Sequence, residues 1–355
     1  MKKVLISLAL LITSGIFSQE VIHTGSLIQA GLDDGSKLVN AYITPINRAI
    51  VYGLSDVTYT QLKKDRKHRL LLSVKLAYVG VPNEDLQFDV NKIGLQNLEP
   101  KDPDKHIAPT VFGDSLQIIT MVSKQKDLLG RPLIEFDLPG GGQSSALPLP
   151  YLGATYRMDY TNLSFNFIPY VTIPSSDLKV GMLGFSIQQD LGMFMKSLQE
   201  SKLGFSVQAG AAYLFGHADL SVKPDGIYSP VTPTGSLAGP YDNQELNISY
   251  TSLHIGLYAD YQISEIFSAF AGTGYNMGTS NIEVNGRYPV YTADPSGTGS
   301  VVAEDVDDPL SLSDNYNRLK FDLGIRADFH KFFIQANYNM ATYGGFGLNI
   351  GYKAL

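Results

Sequence analysis

The sequence predicts an all-β fold: an antiparallel transmembrane β-barrel of about 10 to 14 strands with a short helical N-terminal segment placed to plug the lumen. Three observations predict it: an export signal at the start, period-two alternation repeated through the last two thirds, and short turns alternating with long polar loops.

Lys2 and Lys3 precede an apolar stretch, residues 4–17, interrupted by Ser7, Thr13, Ser14 and Gly15 and closed by the small residue Ser18. This is the pattern of a secretory signal peptide over residues 1–18, cleaved near Ser18. No later run reaches the roughly 18 apolar residues of a membrane-spanning helix. Backbone groups left unpaired in lipid are costly, so a helical inner-membrane protein is excluded. The expected location is the cell outer membrane, with its lipid as the first partner.

Composition points the same way. The 355 residues contain no cysteine, which removes disulfides, thiolate metal sites, a cysteine nucleophile and the lipid-carrying cysteine of a lipoprotein. With 21 Tyr, 17 Phe, 34 Gly and no Trp, and a mean hydropathy near zero, the chain suits a sheet whose side chains meet lipid and water in turn. A net charge of −7 argues against nucleic acid as a partner, because phosphates demand a basic face.

A wall strand must be apolar at every second residue for about 9 to 11 residues, since only one of its faces meets lipid. Residues 318–329 put Leu319, Phe321, Leu323, Ile325, Ala327 and Phe329 on one face, and Arg318, Lys320, Asp322, Gly324, Arg326 and Asp328 on the other. Residues 162–173 repeat the split, with Pro169 on the apolar face. A closed barrel has no edge to hide a missing N–H, so a bulge or a rim position is expected at Pro169. Similar alternation marks residues 69–81, 204–216, 252–263, 267–277, 332–340 and 346–352. A soluble β-sandwich also alternates, but long strands with small and aromatic residues outward and regularly alternating connection lengths favour the barrel.

Connection lengths set an orientation, because bacterial barrels turn tightly on the periplasmic side and loop widely outside. Residues 330–331, 264–266 and 159–161 are tight turns, whereas the polar segments 218–245 and 281–317 fall where extracellular loops are required. Residues 191–202 are a longer periplasmic connection with a helix-like pattern, and residues 174–177 a short outer loop; neither breaks the parity. The C-terminus is thereby placed in the periplasm, after a last strand that ends in Leu355 rather than the usual Phe.

Before the wall, Asp33, Asp34 and Ser36 are N-cap choices for a helix carrying Leu38, Val39, Tyr42 and Ile43. Pro45 is expected to end it and to start a second short helix through Ile46, Ile50 and Leu54. The organisation is then a signal peptide over 1–18, a helical plug or periplasmic segment over 19–67, and a barrel over 68–355. Within the barrel, residues 83–148 hold strand-like pieces at 85–90, 115–122 and 132–138 that either form an insert or add strands to the wall. The strand at 69–81 and nine later ones make ten; each added hairpin raises the count by two.

At Ala41-Tyr-Ile-Thr-Pro45, Leu138-Pro-Gly-Gly141 and Leu147-Pro-Leu-Pro150 the chain resembles an uncharacterised family of Bacteroidetes outer-membrane proteins, over most of its mature length. That resemblance implies the barrel and no activity. The helical N-terminus ahead of the wall is also similar in architecture to the hatch of FadL-type hydrophobic-compound transporters.

The six histidines are scattered singly, without the spacing that would place two on one metal, and Gly140–Gly142 lacks the Lys-Ser/Thr of a phosphate loop. Glu304, Asp305, Asp307 and Asp308 form an acidic cluster read as a solvated loop rather than a calcium site. Ser252 and His254 share the inward face, where polar residues are ordinary barrel filling. No enzyme, catalytic residue, metal or cofactor is therefore expected. The suggestive group is the set of lumen-lining candidates Arg157, His254, Tyr258, Asp260, Arg318, Lys320, Asp322, Arg326 and Asp328. In an open pore these set the field that solutes cross; in a small closed barrel they pair as a polar core. The expectation is a passive channel or transporter for small or hydrophobic solutes. The alternative is a non-conducting anchor whose outer loops bind a protein partner that the sequence does not name.

Overall fold

The computed structural model describes residues 32–56, 59, 69–173, 176–194, 197–198, 201–224, 232–294 and 299–354. The expected signal peptide, residues 1–18, lies outside them. In the described residues helix α1 (Leu32–Asp56) comes first, followed by β1 (Leu70–Gly80). Five short strands follow: β2 (Gln87–Asp89), β3 (Leu98–Pro100), β4 (Ile107–Pro109), β5 (Thr120–Ser123) and β6 (Glu135–Asp137). Next come β7 (Ala146–Arg157), β8 (Thr161–Thr172), β9 (Lys179–Asp190), β10 (Leu203–Asp219), β11 (Thr234–Gly235), β12 (Glu245–Gln262) and β13 (Phe267–Asn285). The chain ends with β14 (Arg287–Ala293), β15 (Val301–Asp307), β16 (Leu310–Asp328), β17 (Phe332–Met340) and β18 (Gly345–Lys353).

Among the described residues ten strands close an antiparallel barrel, each beside its neighbour in sequence, with β1 sealing against both β7 and β18. The outer wall carries the apolar half of each alternation: Leu253, Ile255, Leu257, Leu319, Phe321 and Leu323 are all exposed. A belt of that size in water would be unfavourable, and a bilayer is the solvent that suits it. The expected irregularity at Pro169 is present as a register shift between Ile168 and Val171 on the β8–β9 side.

Of residues 83–148, those up to 145 turn out to be an insert, and 146–148 open the wall strand β7 against β1. β2 pairs with β4, and β3, β5 and β6 form a second small sheet, none of them joined to the wall. Strands of three or four residues are too short to cross a membrane, which needs about 9 to 11.

The expected break at Pro45 does not occur. α1 is one helix of 25 residues with Pro45 buried inside it. An internal proline costs about 3 kcal/mol, and here apolar contacts on both sides of it offset that cost. Leu38 and Val39 pack beneath the insert against Val90, Leu98, Met121 and Phe136. Ala49, Ile50, Val51 and Leu54 pack inside the barrel against Ala77, Leu149, Met182 and Leu214. Asp34 is likewise not a cap: its carboxylate accepts the backbone N–H groups of Gln96, Asn97 and Leu98 at 2.7–3.0 Å, clasping the insert to the helix.

The polar segment 281–317 is also more ordered than its composition suggests. β13 and β16 stay paired out to Val284↔Leu310. A β14–β15 hairpin then continues beyond the barrel, with β11 added parallel to β15. Tyr288, Val290 and Val301 are buried, and Tyr288 and Val301 join the core that covers the N-terminal half of α1. Insert and hairpin together form a cap over the mouth opposite the tight turns.

Candidate functional site

Side chains alternate along a strand, so the inward set of each wall strand follows from one residue of register. All nine predicted lining residues point inward and are buried: Arg157, His254, Tyr258, Asp260, Arg318, Lys320, Asp322, Arg326 and Asp328. Several of them close on a helix inside the barrel. α1 enters from the cap, and its last turn delivers Asp56 to the middle of the barrel.

Four groups of the wall converge on Asp56. Arg318 Nη2 donates to its carboxylate, Asn339 Nδ2 donates to the same oxygen at 3.2 Å, and Lys320 Nζ lies 3.6 Å away. Asn337 Nδ2 reaches the Asp56 carbonyl at 3.4 Å. Arg318 Nη1 also donates to the Tyr343 carbonyl at 2.5 Å, and the guanidinium sits 4.4 Å from the Tyr52 ring centroid. Asp322 balances Lys320 at 3.2 Å and accepts from Tyr258 Oη at 3.1 Å and from Asn339 Nδ2 at 3.0 Å. Buried charges of this kind persist only when paired and hydrogen-bonded, and here the plug supplies the partner of Arg318, while Lys320 lies between Asp56 of the plug and Asp322 of the wall.

Above Asp56 the helix is held by neutral polar contacts. Asn276 Nδ2 donates to Ser55 Oγ at 2.6 Å, Tyr250 Oη to Asn47 Oδ1 at 2.9 Å, and Tyr52 Oη to the Asn317 carbonyl at 3.0 Å. Below it Tyr59 stacks on Tyr258 at 4.2 Å and meets Phe270 at 4.5 Å, and its carbonyl accepts from Gln335. Asp260 lies beside Tyr59, with Arg157 and Arg326 near. A separate group closes the far end, where Asp328 takes Arg326 at 3.0 Å and Lys353 at 2.8 Å.

The set is thus split: Arg318, Lys320, Asp322 and Tyr258 form one network with the plug, while Arg326 and Asp328 form another with Lys353. His254 lines a narrow crevice with Leu54, Ser55, Asn166 and Ser252. Among the described residues Ser252 Oγ has no hydrogen-bond partner, so Ser252 and His254 share a face without forming a nucleophile–base pair. The acidic cluster is dispersed. Asp305 accepts from Tyr241 Oη and the Ala238 and Gly239 amides, Asp307 pairs with Arg287, and Asp308 holds the Gly286 amide. Among the described residues no three His, Asp or Glu side chains are grouped to hold a metal.

Sequence reasoning missed Asp56, Tyr52, Ser55 and Tyr59, since nothing local tells a helix that will enter a barrel from one that will not. Lys75 and Lys353 are on the inward faces of β1 and β18 and could have been read from the same alternation.

A family model described as a family of unknown function (DUF6588) matches residues 1–354. No protein of curated function matches the chain. Among solved structures, the attachment invasion locus protein Ail of Yersinia pestis is similar at 10% identity over 80% of this chain and 98% of that one, with a TM-score of 0.25. The outer membrane protease OmpT of Escherichia coli is 9% identical over 83% of this chain and 97% of its own, with a TM-score of 0.29. The toluene transporter TodX of Pseudomonas putida is 9% identical over 87% of this chain and 72% of its own, at 0.25. Scores this low carry nothing about function.

Proposed function

The chain belongs to the DUF6588 family of unknown function, and from its lumen we propose a non-conducting outer-membrane barrel that anchors an ordered cap for binding at the cell surface. The observation that carries this is the depth of the plug. α1 buries apolar side chains in two separate cores, one in the cap and one in the barrel. Each such side chain contributes about 1.5–3 kcal/mol, so withdrawing the helix would cost more than the ion pairs around Asp56 alone suggest. In this reading the export signal at 1–18 directs the chain outward, the wall holds it in the outer membrane, and the insert and β14–β15 hairpin meet a partner.

A second reading, a passive channel for small or hydrophobic solutes with α1 as its gate, draws on the polar contacts at Ser55 and Asp56, which water could replace. One experiment separates the two. The chain has no cysteine, so Ser55→Cys with Asn276→Cys introduces a single disulfide between plug and wall. In planar bilayers the anchor reading expects silence with the disulfide both reduced and oxidised. Conductance that appears on reduction and vanishes on oxidation would establish the gated channel instead.

A further inference from the structure

The wall is not sealed along its whole height. Among the described residues the rungs of the β7–β8 ladder run from Arg157↔Asn162 to Leu152↔Phe167 and end there, short of 146–151 and 168–172. Hydrogen-bond parity explains where the ladder stops. Met158 N–H donates to the Thr161 carbonyl, while Arg157 N–H donates to Arg69, so even-numbered residues of β7 face β8 and odd-numbered ones face β1. In β8, Thr161 faces β7, whereas Tyr160 accepts from Asp190 on the β9 side. Odd-numbered residues of β8 therefore face β7, up to the bulge.

Continued one step beyond Leu152↔Phe167, the same parity would set Pro150 against Pro169, at the edge of the bulge. Neither has an N–H, so that rung could form neither bond, and Pro148 removes the following donor of β7. The β1–β7 ladder is untouched, because there the two prolines meet Leu76 and Tyr78 at positions that exchange no hydrogen bonds. Open sheet edges are normally forbidden in hydrocarbon because their donors go unpaired. This edge has had its donors removed at three places.

Inward, the seam faces the apolar cluster of Leu147, Leu149, Tyr151, Ile168 and Met182 with Ile50 and Leu54 of α1. Outward, Pro169, Tyr170, Val171 and Thr172 are exposed. Tyr170 leans onto Phe215 at 5.6 Å, toward β9 and β10 and away from β7.

We propose that this seam is a lateral binding site for a hydrocarbon chain drawn from the surrounding membrane. The chemistry selects that occupant. A β-strand from a partner needs donors as well as acceptors along the edge, and no charged side chain of β7 or β8 borders the unpaired stretch. An alkyl chain asks for neither.

The test uses the full chain in phospholipid vesicles carrying a trace of a diazirine-bearing fatty acid or, in a second arm, a phospholipid with the diazirine on its acyl chain. After photolysis, adducts are mapped by mass spectrometry. Labelling of residues 146–151 and 168–172 several-fold above residues 319–325 on the opposite wall supports the site, and the arm that labels identifies free amphiphile or membrane lipid. Even labelling around the belt overturns it. Pro150→Thr with Pro169→Val restores both donors and should abolish the enrichment; enrichment that persists in this variant, still folded by heat-modifiability on a gel, also overturns it. Should that variant not fold, Leu149→Trp, which fills the seam from within, must reduce labelling or the proposal fails.

Discussion

Arg318 donates to the carboxylate of Asp56, so the last residue of α1 is tied to the middle of β16 across 262 positions of sequence. Removing one member of a buried pair leaves the other charged and unpartnered, at a cost of about 3–5 kcal/mol. Asp56→Ala is expected to lower the temperature at which the barrel loses its heat-modifiable band, as is Arg318→Ala. Because Asp56 also faces Lys320, Asp56→Ala should be the more damaging. Asp56→Leu combined with Arg318→Met should recover much of the loss, and thermal gel shifts on the purified variants would check the order.

Gly53 lets the plug pack closely on the wall. A Cβ there would lie 2.5 Å from Leu149 Cδ1 and 2.8 Å from Val79 Cγ2, against an interior already filled. Gly53→Val should therefore destabilise by about 1–3 kcal/mol through overpacking, while Gly94→Ala, where a Cβ meets no atom within 4 Å but φ is +76°, should cost less and act only through the backbone. Denaturant midpoints for the two variants test the contrast.

Asp34→Ala would strip the insert of its clasp. Three N–H groups, of Gln96, Asn97 and Leu98, lose a charged acceptor, and leaving them unsatisfied costs about 3 kcal/mol or more in total. The barrel strands do not depend on this contact. Limited proteolysis should cut the variant faster within residues 81–145, with the heat-modifiable barrel unchanged.

In the cap, desolvation works to raise the pKa of Asp305, but hydrogen bonds from Tyr241 and the Ala238 and Gly239 amides, with Arg287 nearby, outweigh it and hold the carboxyl below its ordinary value. A depressed folded pKa means that the stabilisation is complete above the unfolded value of about 3.9. It is lost as pH falls through the folded value. Hydrogen exchange at the 238 and 239 amides should accelerate, relative to a pH-corrected reference, only below about pH 4, and Asp305→Asn should flatten that dependence.

The wall was legible because its code is local. Residues 318–329 state which side chains meet lipid and which turn inward, and the register of β16 against β13 and β17 agrees with that reading. Pro169 was legible as an irregularity, since a missing N–H is a property of one residue. That the β7–β8 ladder would stop just short of it and of Pro150 was not, because that depends on the register of two strands and on which edge each residue faces. The single helix through Pro45 escaped for a similar reason: the local penalty of proline is visible in sequence, and the two cores that offset it are assembled from β1, β7, β10 and the insert.

By itself the sequence determined a barrel, the face of each strand and the inward position of nine polar side chains, because a period of two residues survives whatever the rest of the chain does. Only the tertiary structure decided that ten strands close the wall, that residues 83–145 stand outside it, and that Arg318, Lys320, Asp322 and Tyr258 form one network with a helix. Those outcomes rest on contacts such as Asp56 with Arg318 and Asp34 with Leu98. Their energy exists only once distant segments are brought together and desolvated, which no local pattern can encode.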